Sequence, residues 1–119
     1  MKPSQVKALD KLFSEVIRLR ANGFCPKCEM YYKVDEIVPA HYYSRTLKST
    51  RWDEDNVQGV CSPCHDLFHK YESIYTEFIY ERLGEERFKA LIIKARIPQK
   101  MDYITIKAQL QDRIKELQR

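Results

Sequence analysis

Four cysteines in two Cys-x-x-Cys pairs, Cys25/Cys28 and Cys61/Cys64, constrain this 119-residue chain more than any other feature. None is left over. The start, Met1-Lys2-Pro3-Ser4-Gln5, lacks the apolar core of a signal peptide, so a reducing cytoplasm is the expected compartment. There the pairs read as one tetrathiolate zinc site rather than two disulfides. Each pair aims two sulfurs at a common point, and the thirty-two residues between Cys28 and Cys61 can wrap one tetrahedral ion. Four thiolates leave no open coordination position, so this zinc is expected to be structural. The rival readings are unrelated free thiols or redox-active dithiols; the latter need a thioredoxin-like βαβ context that is absent.

A metal suits a domain whose middle is short of aliphatic residues. Hydrophobic residues make up 44% and charged residues 32% of the chain, enough for one modest core and too apolar for disorder. The longest apolar runs, such as Ala90-Leu91-Ile92-Ile93, are far too short to span a bilayer. No internal repeat or clear domain boundary appears, so a single domain over 1–119 is expected. It would comprise an N-terminal helix over 4–21, a zinc-held core over 24–83 and a helical extension over 84–119.

Ser4 reads as an N-cap. Val6, Leu9, Phe13, Val16 and Ile17 follow at helical spacing, and Asn22-Gly23 supplies the stop. Tyr31 to Val34 is β-prone, Glu36 to Tyr43 contains a strand ending at His41, and Val57 to Val60 reads as a second strand after the turn Asp53-Glu54-Asp55-Asn56. From Ser62 an apolar stripe through Phe68, Tyr75 and Ile79 predicts a helix up to Gly84. Another follows from Glu85 to about Ala95, ended by Pro98, and Thr105 is placed to cap a last one. The predicted class is α+β, mostly helical.

All three histidines lie between the cysteine pairs or just after them. His65 and His69, four apart on a helix begun at Ser62, share one face and can grip one ion. His41 ends its strand, and Asn56 stands in the turn before the next. Singly, each reads as an ordinary structural residue; together, around one zinc module, they read as a site.

At these residues the sequence resembles the HNH, or ββα-metal, nucleases: a histidine ending one strand, an asparagine in the following loop, and ligands on the helix. Cys25-Pro26-Lys27-Cys28 and Cys61-Ser62-Pro63-Cys64-His65 match a zinc-knuckle subset. Within it, Ala40-His41-Tyr42-Tyr43-Ser44-Arg45 and Arg51-Trp52-Asp53-Glu54-Asp55-Asn56 resemble the phage Rap/NinG recombination endonucleases, a likeness that covers about residues 24–118. The resemblance implies a phage- or prophage-encoded enzyme acting in a bacterial cytoplasm. It also implies a ββα-metal core flanked by helices. His41 would be the general base and Asn56 the residue that holds the loop. His65 and His69 would bind a catalytic divalent cation, Mg2+ or Mn2+, with Zn2+ or Ni2+ as occupants in crystals. The expected products are a 5′-phosphate and a 3′-hydroxyl. Two departures stand out. Ala40 occupies the position before His41, where many HNH nucleases carry another ligand. His65 stands where the Rap/NinG proteins typically have Asn, making a two-histidine helix that favours transition metals.

Twenty-one Lys and Arg against seventeen Asp and Glu give a net charge of +4, which permits a polyanionic partner without demonstrating one. Arg45, Lys48, Arg51 and Trp52 lie between His41 and Asn56 and are candidates for DNA contact, with Trp52 more readily a core residue. No helix face gathers base-reading side chains, so shape or branching of DNA is the expected target, as in Holliday junctions or D-loops. A homodimer would suit symmetric cleavage of a junction. The rival functions are a non-catalytic zinc-knuckle module that binds nucleic acid or protein, and an HNH nickase or restriction-type nuclease on linear duplex.

Overall fold

The computed structural model describes residues 1–119. Its first helix, α1, runs from Pro3 to Ala21. Pro3 rather than Ser4 sets the start, because its fixed φ suits the first helical position and its missing N–H costs nothing there. Ser4 therefore lies inside the first turn, and Gln5 closes the end by accepting from the Lys2 backbone N–H at 2.9 Å. Asn22 ends the helix in the left-handed conformation, its N–H bonded to the Arg18 carbonyl.

The β-prone run at 31–34 forms no strand. Tyr31 makes a single bridge to Phe24 and is 78% exposed, and Val34–Glu36 coils into a short 3-10 turn. The first cysteine turn leaves this run no longer partner: Cys25 N–H bonds to Met30 O, and Glu29 N–H to Cys25 O.

Strand β1 (Ile37–His41) pairs antiparallel with β2 (Val57–Cys61). The register sets Ile37 opposite Cys61 and His41 opposite Val57. One end of the ribbon thus carries Cys61, a member of the second cysteine pair, and the other carries His41 beside Asn56. Two strands cannot stand alone. Helix α1 covers them, so closely that a Cβ at Gly59 would lie 2.9 Å from Ile17 Cγ2 and 3.0 Å from Ile37 Cγ2. Gly59→Ala is expected to destabilise the fold by about 1–3 kcal/mol through overpacking, read as a lower urea midpoint.

A single helical turn, α2 (Lys48–Arg51), lies in the loop between the strands. Helix α3 (Ser62–Lys70) begins directly at the end of β2, with Pro63 in its first turn. The expected continuous helix to Gly84 is broken at Tyr71 (φ −131°, ψ 90°), and α4 occupies Glu72–Leu83. Neither Gly nor Pro marks this break; tertiary packing holds it. Across it Phe68 and Tyr75 stack with ring centroids 4.1 Å apart, and the buried Tyr75 hydroxyl donates to the Ala40 carbonyl. Helix α5 (Glu85–Arg96) follows Gly84, and α6 (Tyr103–Leu117) lies against α1. Asp102, not Thr105, is the N-cap of α6; Thr105 sits inside the first turn with its hydroxyl donating to the Asp102 carboxylate.

The architecture is α+β and mostly helical, with two buried clusters. One joins Cys25, Cys61 and Cys64 to Ile37, Phe68, Tyr75 and Ile79. The other joins α1 to Trp52, Val57 and Leu110. No helix is long and apolar enough to cross a membrane.

Candidate active site and metal centre

Two turns bring the four thiols together, one after α1 and one at the junction of β2 and α3. Their sulfurs all lie within 4.8 Å of one another. Cys28 Sγ and Cys61 Sγ are 3.8 Å apart. Tetrahedral zinc–thiolate geometry, with Zn–S near 2.3 Å, requires sulfurs about 3.8 Å apart, so the donor set and its spacing fit the ion. The Tyr32 hydroxyl, 3.6 Å from Cys28 Sγ, lowers that thiol to about 7, while burial pushes Cys25 and Cys64 up. A bound divalent cation is what would hold all four as thiolates. The site is closed and anchors the β2–α3 junction.

A cleft of 740 Å³ opens between α1, β1, the loop after it, α3 and α4. All three histidines line it. His65 and His69 stand one turn apart on α3 with ring centroids at 4.7 Å, inclined by 65°. Among His, Cys, Asp and Glu side chains, only the four cysteines gather three or more ligand atoms at metal-binding distance, so the histidine pair stands as two ligands. His41 reaches the cleft from the end of β1. Its Nε2 is 2.9 Å from the Arg51 carbonyl oxygen, which can only accept, so Nε2 carries the proton and the lone pair lies on Nδ1. Burial lowers the His41 pKa, which leaves the ring neutral at pH 7.

Asn56 is fully buried and ties the loop down. Its Oδ1 accepts from the Tyr43 N–H at 2.8 Å, and its Nδ2 donates to the carbonyls of Tyr43 (3.1 Å) and Thr50 (3.0 Å). The carboxamide thus clamps the loop just beyond His41 and just before the carbonyl that orients it. Asn56→Ala would strand three backbone groups, and a stability loss of about 3 kcal/mol is expected in denaturant titration.

The four residues expected to meet DNA divide into two pairs. Arg45 is 61% exposed on the cleft wall, and Lys48 is exposed nearby. Arg51 and Trp52 turn inward, which departs from the expectation for Arg51 and gives Trp52 the core placement that the sequence favoured. Arg51 forms a two-pronged ion pair with Asp10 of α1 (3.0 and 2.6 Å), and Trp52 is buried with its Nε1 donating to the same carboxylate at 2.9 Å. Sequence reasoning missed Asp10, Glu72 and Tyr75, all of which line the cleft. No local motif marks them; only the packing of α1 and the break at Tyr71 bring them there.

A short antiparallel ribbon running into a helix, with four cysteines that could hold a zinc ion at their junction, defines a small α+β protein of knuckle type. The chain belongs to the NinG family: the family model described as "Bacteriophage Lambda NinG protein" matches residues 2–119. No curated protein and no solved structure shows significant similarity to it.

Proposed function

We propose that the cleft hydrolyses phosphodiester bonds of DNA, with branched recombination intermediates as its substrates. The observation that carries this reading is the convergence of His41, His65 and His69 on one cleft, with the His41 ring held by a loop that Asn56 clamps. His41 Nδ1 takes a proton from the attacking water, a role suited to a side chain neutral at pH 7. Arg45 and Lys48 bind the phosphates on either side. His65 and His69 would hold a divalent cation, which when bound would stabilise the negative charge on the scissile phosphate and the leaving oxygen. Two imidazoles favour Mn2+ or another transition ion over Mg2+. The family membership supports a phage recombination setting.

The zinc-loaded protein, given a four-way junction and a linear duplex of the same sequence with Mn2+ or Mg2+, should cut the junction at least about tenfold faster. Equal rates would remove the branched-substrate assignment and leave the nuclease.

A non-catalytic binding module is the second reading, and Ala40 favours it. This residue is 2% exposed and places a methyl where a third ligand would stand beside His41. Junction binding without cutting under any divalent metal would select it.

A further inference from the structure

We infer that Asp10, on α1 and outside the zinc-knuckle core, is a positioning residue for His41, acting through Arg51. The inference rests on the nuclease reading of the cleft, and it is carried by an unbroken chain of contacts. Asp10 Oδ1 accepts from Arg51 Nε at 3.0 Å and from Trp52 Nε1 at 2.9 Å; Oδ2 accepts from Arg51 Nη2 at 2.6 Å. The remaining Arg51 nitrogen, Nη1, donates to the Arg45 carbonyl at 2.8 Å. The Arg51 main-chain carbonyl then receives the His41 Nε2 proton at 2.9 Å.

These contacts fix what His41 needs fixed. A carbonyl held in place selects one tautomer and leaves the lone pair on the other nitrogen. Helix α2 is a single turn of four residues, too short to be stable alone, and the Asn56 clamp reaches its Thr50 carbonyl, one residue short of Arg51. Two planar forks, guanidinium and carboxylate, meet in the bidentate geometry that adds direction to charge. The Arg51 side chain is only 15% exposed, so this pair is not a loose surface bridge. The same geometry gives Arg51 a task other than phosphate binding. Its guanidinium is neutralised by Asp10 and occupied on both sides, whereas Arg45 is 4.0 Å from the same carboxylate and open to solvent.

The test compares zinc-loaded wild type, Asp10→Asn, Arg51→Ala and the double variant. Two readouts are used: steady-state cleavage of a four-way junction with Mn2+, and the His41 tautomer from long-range proton–nitrogen NMR correlations. Asp10→Asn should lower kcat about 10- to 100-fold with KM nearly unchanged, the scale of a small misplacement of a catalytic group. The His41 signal should move from the pure Nε2–H form toward a mixture. The double variant should lose no more than the worse single variant, because both act through one link. If Asp10→Asn does not fold, Arg51→Lys carries the same expectation, since an ammonium cannot make the two-pronged contact.

An unchanged tautomer with unchanged kcat would overturn the inference. So would a rise in KM at constant kcat in the Arg51 variants, which would make Arg51 a phosphate contact. Should the wild type not cut at all, the nuclease reading fails on its own. The tautomer then decides alone, a shift in Asp10→Asn supporting the inference and no shift overturning it.

Discussion

A chelator that strips metal from the four-cysteine site is expected to abolish the cooperative thermal transition of this protein. The reason lies in what surrounds the thiols. Cys25, Cys61 and Cys64 are buried members of the cluster that also holds Ile37, Phe68 and Tyr75. The stretch 24–36 that carries the first pair has one isolated bridge and a 3-10 turn to order it. Metal-free, the Cys25 and Cys64 thiols would sit protonated in a space shaped for an ion. Structural zinc contributes apparent binding free energies on the order of 10 kcal/mol in small domains, comparable to the whole stability of a chain this size. Cys61→Ser and Cys64→Ser should behave like the chelated protein, because each breaks the junction between β2 and α3. Circular dichroism melts with and without chelator check this. An identical, cooperative melt after complete metal removal would show that the apolar clusters suffice.

Replacing His41 by Ala is expected to lower the single-turnover cleavage rate by about 10²- to 10⁴-fold, the usual contribution of a positioned general base. DNA affinity and zinc content should stay near wild type, since Arg45 and Lys48 are untouched and the thiols lie at the other end of the ribbon. Stability should fall by only about 1 kcal/mol, because the ring is half-buried and gives up one hydrogen bond to a carbonyl. Large loss of rate with small loss of stability is the signature sought. A rate within about twofold of wild type would move the proton transfer to another group.

Much of this architecture was legible from local pattern. The spacing of Leu9, Phe13, Val16 and Ile17 marked the buried face of α1, and all four are buried. The strand ending at His41 and the strand after Asn56 follow from β-rich runs bounded by turn residues. The thiols were paired by spacing alone, and they converge. The misses share a physical cause. Tyr31 to Val34 has β propensity but no partner beyond Phe24. Tyr71 interrupts a stripe that periodicity runs straight through, and the turn there lets Tyr75 stack on Phe68 and reach the Ala40 carbonyl of β1. Ser4 and Thr105 were good caps in isolation, yet Pro3 and Asp102 stood one to three residues earlier. Asp10, far in sequence from the histidines on α3, became visible only when α1 was folded against the loop. Arg51 looked available for DNA for the same reason: its carboxylate partner, Asp10, lies on another element.

The most direct measurement is strand scission itself. Zinc-loaded protein is incubated with supercoiled plasmid and Mn2+, and the product is then treated with DNA ligase. Nicked circles that ligase reseals are expected, since hydrolysis as proposed would leave a 5′-phosphate and a 3′-hydroxyl. Intact supercoiled plasmid under Mn2+, Mg2+ and Ni2+ alike, with a protein shown to be folded and zinc-loaded, would contradict it.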